Sequence, residues 1–250
     1  MDSAVSATNK KRIAILDTCI DDAPFAQINP NDGETFKRYL QPFRPEWVFD
    51  VVLVKQGVFP KSPEDYDGYV VIGSPLSVNG KESWITELLE FIRLVEKKKV
   101  PTFGACFGHQ AIAKAMGGKV ETAKHGWGLG TANTHFVKQV KWMQPPADDL
   151  IMFAAHQEQV TELPDGAQVL GGSEHCPIGA YHIGNHIFAT EYHPEMSEKF
   201  MRDVLDYLDD KLDSKTMAKA RDSMANPTQG KDFGLWITNF LDQNSLESPT

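Results

Sequence analysis

Residues 100–118 read VPTFGACFGHQAIAKAMGG. The first six, VPTFGA, are apolar and β-favouring, and GHQAIAKAMGG carries good helix formers closed by Gly117 and Gly118, a C-terminal stop. Cys106 stands between, with glycines two residues to either side. A G-x-C-x-G turn lets a strand bend sharply into a helix, because glycine leaves room where a side chain would collide. A buried strand running directly into a helix is the repeating joint of an α/β protein.

The upstream sequence repeats that joint. RIAILDT (12–18) is a short apolar run suited to a buried strand, and NDGETFKRYLQPF (31–43) has an Asn/Asp start and helical spacing of Phe36, Leu40 and Phe43. WVFDVVLVKQ (47–56) and YDGYVVIGSP (66–75) predict two more strands, the second closed by Gly-Ser-Pro. ESWITELLEFIRLVEKKK (82–99) has apolar residues at 84, 85, 88, 89, 92 and 95, the period of an amphipathic helix. The series predicts an α/β fold, a mostly parallel sheet with helices on both faces. Sites in such sheets form beyond the carboxyl ends of the strands, and Cys19, Ser74 and Cys106 fall just past such ends.

After residue 119 the chain turns to short, glycine-punctuated strands, expected to extend the sheet in partly antiparallel fashion. Residues 197–224 are expected to be helical, with the acidic run DVLDYLDDKLD (203–213) as a solvated helix face, and NPTQG (226–230) breaks them from a last helix. The expected organisation is a flexible leader over 1–11, one domain over 12–200, and C-terminal helices over 201–250 packed on that domain. The leader lacks the apolar core of a secretory signal.

Composition narrows the function. The 250 residues are 41% hydrophobic and 24% charged, with a net charge of −9. An acidic balance argues against nucleic acid or an anionic membrane as partner and leaves a small-molecule substrate. Three cysteines, Cys19, Cys106 and Cys176, form no disulfide framework and suit a reducing cytoplasm. No window approaches 18 apolar residues, so no transmembrane span is expected. The oligomeric state is left open.

At a strand-to-helix bend, Cys106 meets the unpaired N–H groups and dipole of the helix N-terminus, which favour the reactive thiolate. The N–H of Phe107 is placed to donate to a developing oxyanion. The alternative is an inert buried cysteine. A thiolate nucleophile needs a proton shuttle and an orienting group. ATEYHPE supplies His193 after an apolar strand and Glu195 two residues on, a spacing that lets a carboxylate fix an imidazole tautomer. Its alternative is the polar start of the helix at Ser197. Gly73 and Ser74, in the turn after a buried strand, offer a second oxyanion donor. His175, Cys176, His182 and His186 match no zinc signature, so neither metal nor cofactor is expected. His109 is expected to pack or cap, and Cys19 to be non-catalytic. KHGWGLG (124–130) is either a cleft wall or a glycine-rich turn.

Taken together, G-A-C-F-G-H-Q, His-Pro-Glu and the upstream Gly-Ser-Pro resemble the motifs of the class I glutamine amidotransferase family over residues 12–200. The likeness is greatest to the glutaminase domains of GMP synthases and to stand-alone γ-glutamyl peptidases. The resemblance implies a flavodoxin-like fold and a Cys106–His193–Glu195 triad that cleaves a γ-carboxamide through a thioester. It implies an oxyanion hole from Phe107 and Ser74. It also implies substrate contacts near Gly73 and at Gln110, His156 and Glu158. Two departures stand out. Gly-Ser-Pro replaces the family's Gly-Gly-Pro, which strains the turn if Ser74 must adopt positive φ. Glu158 replaces an aspartate. About fifty residues follow the triad, too few for a synthetase module. Three functions are therefore expected candidates: a γ-glutamyl hydrolase or transferase, the ammonia-supplying subunit of a separate synthetase chain, and a non-enzymatic cysteine sensor on the same fold.

Overall fold

The computed structural model describes residues 10–242. The expected leader falls almost wholly outside the described residues, as does the end of the C-terminal segment after residue 242. In chain order, β1 (Arg12–Leu16) leads to α1 (Pro24–Ile28), α2 (Gly33–Leu40), β2 (Val48–Val52), β3 (Gly68–Val71), α3 (Ser83–Lys97), β4 (Thr102–Ala105) and α4 (Phe107–Ala115). Seven strands follow: β5 (Lys119–Thr122), β6 (Gly128–Phe136), β7 (Asp149–His156), β8 (Glu158–Glu162), β9 (Ala167–Gly172), β10 (Ala180–Ile183) and β11 (Ile187–Thr190). Three helices close the described chain: α5 (Glu198–Leu208), α6 (Ser214–Ser223) and α7 (Gly230–Asp242).

The main sheet runs β2-β1-β3-β4-β11-β10-β9-β6-β7. Its first five strands pair in parallel and the rest antiparallel. The order 2-1-3-4 followed by a fifth parallel strand is the flavodoxin-like winding, with ligands at the carboxyl edge where the order reverses. The alternation along β1 explains the two layers. Ile13 and Ile15 face a core with Phe36, Phe103, Phe188, Phe233 and Trp236, under α2 and α7. Ala14 and Leu16 face a core with Val71, Leu88, Ile92 and Ile112, under α3 and α4. A third cluster, with Ala26, Phe153, Met196, Phe200 and Met217, joins α1, α5 and α6. No helix among the described residues is long and apolar enough to cross a membrane.

Four details differ from the sequence expectation. Residues 47–56 stop being a strand at Val52, and Val54–Gln56 forms a 3₁₀ turn that ends on Gly57 in the left-handed region. α1 was not expected; Pro24 starts it, where a missing N–H costs nothing. The helix over 197–224 is two helices, because Asp213 accepts from the Thr216 N–H and caps α6. The acidic run therefore spans a helix end, a turn and a cap instead of one helix face. The antiparallel extension is also incomplete. β5 and β8 pair as a separate ribbon, and β11 inserts parallel to β4.

Candidate active site

β4 and α4 meet at Cys106, whose φ of 47° and ψ of −105° are outside the usual regions for an L-residue. Such a conformation costs about 1–3 kcal/mol and persists only where its surroundings enforce it. Here the Cys106 N–H donates to Thr190 O at 2.9 Å, and Cys106 O accepts from Gln110 N at 3.0 Å. Both flanking glycines are required by close approach. A Cβ on Gly104 would lie 2.7 Å from the Gly108 backbone, and one on Gly108 would lie 2.1 Å from Val71 O. The sulfur is thereby held at the start of a helix and lines a cleft of about 420 Å³.

His193 follows β11 and is fixed by its own N–H, which donates to Phe153 O at 2.8 Å. Its Nδ1 lies 2.8 Å from Glu195 Oε1, and its ring lines the cleft beside Cys106. Nδ1–H therefore donates to the carboxylate, which leaves Nε2 for the sulfur. Burial alone would depress His193. The negative charges of Cys106 and Glu195, with their hydrogen bonds, outweigh burial and lift it well above the ordinary imidazole value. Gly73 sits directly beneath, and a Cβ there would come within 2.8 Å of the His193 ring. Its role in the geometry is to admit the imidazole.

Phe107 is the first residue of α4, so its N–H has no acceptor within the helix. Ser74 lies in the turn after β3, and its N–H makes no backbone hydrogen bond among the described residues. Ser74 does not adopt positive φ, so the condition for strain in that turn is not met: among the described residues the non-glycine residues at positive φ are Lys99 and Cys106. Ser74 Oγ instead accepts from Leu76 N at 3.3 Å, a local turn that a glycine could not make.

The other expected contacts line the same cleft. Gln110 Nε2 donates to Glu158 O at 2.9 Å and to Glu191 Oε1 at 2.8 Å, which leaves its Oε1 for a ligand. His156 is buried and pushed down to about 4, chiefly by desolvation, so it is neutral. Its Nδ1 lies 3.1 Å from Glu158 O and so carries the proton, while Nε2 has no partner. The Glu158 carboxylate is drawn to the rim, where Oε1 accepts from Asn79 Nδ2 at 3.2 Å. Trp127, from the glycine-rich stretch, forms part of the wall. His109 packs on Tyr181, ring centroids 4.7 Å apart, away from the cleft. Burial and the nearby Asp17 push the Cys19 thiol up to about 12, which removes it as a nucleophile at neutral pH.

Two residues at the site escape sequence reasoning. Asn31 Nδ2 donates to Glu195 Oε1 at 2.8 Å, the same oxygen that holds His193. Its signal, N-P-N-D, reads locally as nothing more than a helix start. Glu191 is wholly buried near Cys106; burial, and then the Cys106 charge, raise its carboxyl well above the usual range. Its Oε2 lies 3.5 Å from His109 Nε2, which burial pushes down to about 3. No group of three or more His, Cys, Asp or Glu among the described residues could hold a metal ion.

The family model described as glutamine amidotransferase class-I matches residues 49–206. γ-Glutamyl peptidase 3 of Arabidopsis thaliana is 32% identical over 247 residues, covering 93% of this chain and 97% of that protein. A GMP synthase (glutamine-hydrolyzing) of Finegoldia magna is 32% identical over 133 residues, covering 52% of this chain and 24% of that protein. Among solved structures, a glutamine amidotransferase from Thermotoga maritima matches with a TM-score of 0.71 at 20% identity, covering 95% of this chain and 99% of that one. That likeness speaks for the fold.

Proposed function

This chain belongs to the glutamine amidotransferase class-I family, and on that premise we propose that it cleaves γ-glutamyl amides through a thioester on Cys106. The observation that carries the reading is His193, buried beside Cys106 in the same cleft and held through Nδ1 by Glu195 at 2.8 Å. That arrangement suits a proton shuttle and has no purpose in a cysteine sensor.

The steps follow from the geometry. The Cys106 thiolate, paired with protonated His193, attacks the γ-carbonyl carbon. The oxygen takes up the electron pair, facing the N–H groups of Phe107 and Ser74. The intermediate collapses as His193 gives its proton to the departing nitrogen, so the C–N bond breaks and ammonia or an amine leaves. His193, now neutral, takes a proton from water as its oxygen attacks the thioester. Collapse then releases glutamate and restores the thiolate–imidazolium pair. Glu195 holds the ring in one tautomer throughout. The Gln110 carbonyl oxygen, an acceptor, suits the ammonium of the γ-glutamyl group.

Similarity to the γ-glutamyl peptidase along nearly the whole chain supports a hydrolase that acts alone. Similarity to part of a GMP synthase supports a second reading, an ammonia donor for a separate synthetase chain. Incubating the protein with glutamine and with γ-glutamyl dipeptides, and measuring ammonia or amine, tests both. Release that vanishes in Cys106→Ala is expected. Equal release by that variant would overturn the thioester mechanism, and release only with an added synthetase chain would favour the second reading.

A further inference from the structure

The lining of the cleft around Cys106 falls into two unlike parts. One carries Gln110, Thr122, His156 and Glu158, the polar groups suited to an amino-acid end. The other is an apolar wall made by Phe25, Met196, Phe200, Val204, Tyr207 and Leu208. α1 and α5 build it together: the Phe25 ring lies 5.4 Å from Phe200 and 5.5 Å from Tyr207. Phe25, Val204 and Leu208 are half-buried, and Tyr207 is 42% exposed, so the wall retains apolar surface to cover.

His193 decides which part of a substrate reaches this wall. The departing nitrogen must meet His193 to be protonated, so whatever that nitrogen carries lies on the histidine's side of the scissile bond. The chain runs from His193 through Met196 to Phe200, directly into the wall. Ammonia carries nothing and has no use for an apolar surface there. A substituted amine does.

We infer that the α1–α5 wall is the leaving-group subsite and that the preferred substrates are γ-glutamyl amides of amines with an apolar side chain, such as γ-glutamyl dipeptides ending in a large apolar residue. This rests on the proposed thioester cleavage at Cys106. It adds that the nitrogen leaves as an apolar amine, with His193 supplying its proton and water taking up the glutamyl group.

The test compares kcat/KM for γ-glutamyl-phenylalanine, γ-glutamyl-glycine and glutamine, in the wild type and in Phe25→Ser, with Cys106→Ala as control. The wild type is expected to favour the phenylalanine compound over the glycine compound by tenfold or more, about what one or two apolar contacts give in a pocket. In Phe25→Ser that ratio should fall to within about threefold, since the serine removes the aromatic contact but retains the backbone. Titration calorimetry of both dipeptides with Cys106→Ala reads the same preference as affinity, without turnover. It also serves should Phe25→Ser fail to fold. Equal rates and equal affinities for the two dipeptides overturn the inference, as does glutamine as the fastest substrate. Undiminished turnover in Cys106→Ala overturns the mechanism instead, and the binding preference then decides the subsite by itself.

Discussion

Glu195 Oε1 accepts two hydrogen bonds, from His193 and from Asn31, each at 2.8 Å. The second is what keeps the carboxylate from turning its unpartnered Oε2 toward the histidine. Hydrogen bonds to charged groups contribute about 1.5–3 kcal/mol. Asn31→Ala is therefore expected to lower kcat roughly tenfold with little change in KM. It should also slow alkylation of Cys106 by iodoacetamide, because a loosened Glu195 stabilises the imidazolium less. A change confined to KM would place Asn31 on the substrate instead. Glu191 makes the opposite kind of prediction. Its raised carboxyl binds a proton in the folded state that the unfolded chain has released above about pH 5. Folded binds more protons than unfolded, so this group lowers stability as pH rises, by about 1.4 kcal/mol per unit until Glu191 itself ionises. Glu191→Gln keeps the acceptor for Gln110 and removes that loss. Melting curves from pH 5 to 8 should show the variant gaining on the wild type as pH increases. A gap that does not change with pH would mean that Glu191 is already ionised.

At the scale of elements, the strand–turn–helix at Cys106 is fully legible in the sequence, because a glycine two residues to either side of a cysteine, between a β-favouring run and a helix-favouring one, marks a sharp bend. Its cost can be measured. A methyl on Gly108 would lie 2.1 Å from Val71 O, so Gly108→Ala must push α4 off β3. It should lower stability by about 1–3 kcal/mol, the usual toll of overpacking, and abolish activity by displacing the sulfur. Stability unchanged in denaturant titration would refute the close approach. Other elements mislead the sequence reading for identifiable reasons. Residues 47–56 are rich in β-formers throughout, and nothing local marks Leu53 as the point where pairing ends. The break between α5 and α6 does carry a signal, Asp213 three residues before Thr216, but the apolar spacing through Leu212 masks it. Asp213→Ala is expected to lower the unfolding midpoint and leave turnover unaltered.

At the scale of the molecule, the site is legible where chemistry clusters in the chain and illegible where it does not. His193 and Glu195 are two residues apart, and Cys106 announces itself. Asn31 reaches Glu195 across 164 positions of sequence, and Glu191 gains its character only from burial. The C-terminal helices, expected over 201–250 to pack on the domain, take up positions that only the fold defines. α7 places Phe233, Trp236, Ile237, Phe240 and Leu241 in one cluster with Ile13 of β1 and Phe103 of β4. Trp236 is fully buried, its ring stands 4.9 Å from Phe136, and its Nε1 donates to Pro145 O at 2.7 Å. α5 meanwhile presents Phe200 to the cleft that holds Cys106. Elements that share a core cannot melt separately without exposing it to water. The sheet and the helices after residue 200 should then unfold in one transition, with calorimetric and van't Hoff enthalpies equal. Trp236→Ala should destabilise the fold by about 3–5 kcal/mol, lowering the midpoint of that single transition without splitting it in two. A separate early transition, with Cys106 still reactive after α7 has melted, would show that the helices are an appendage in energy as well as in sequence.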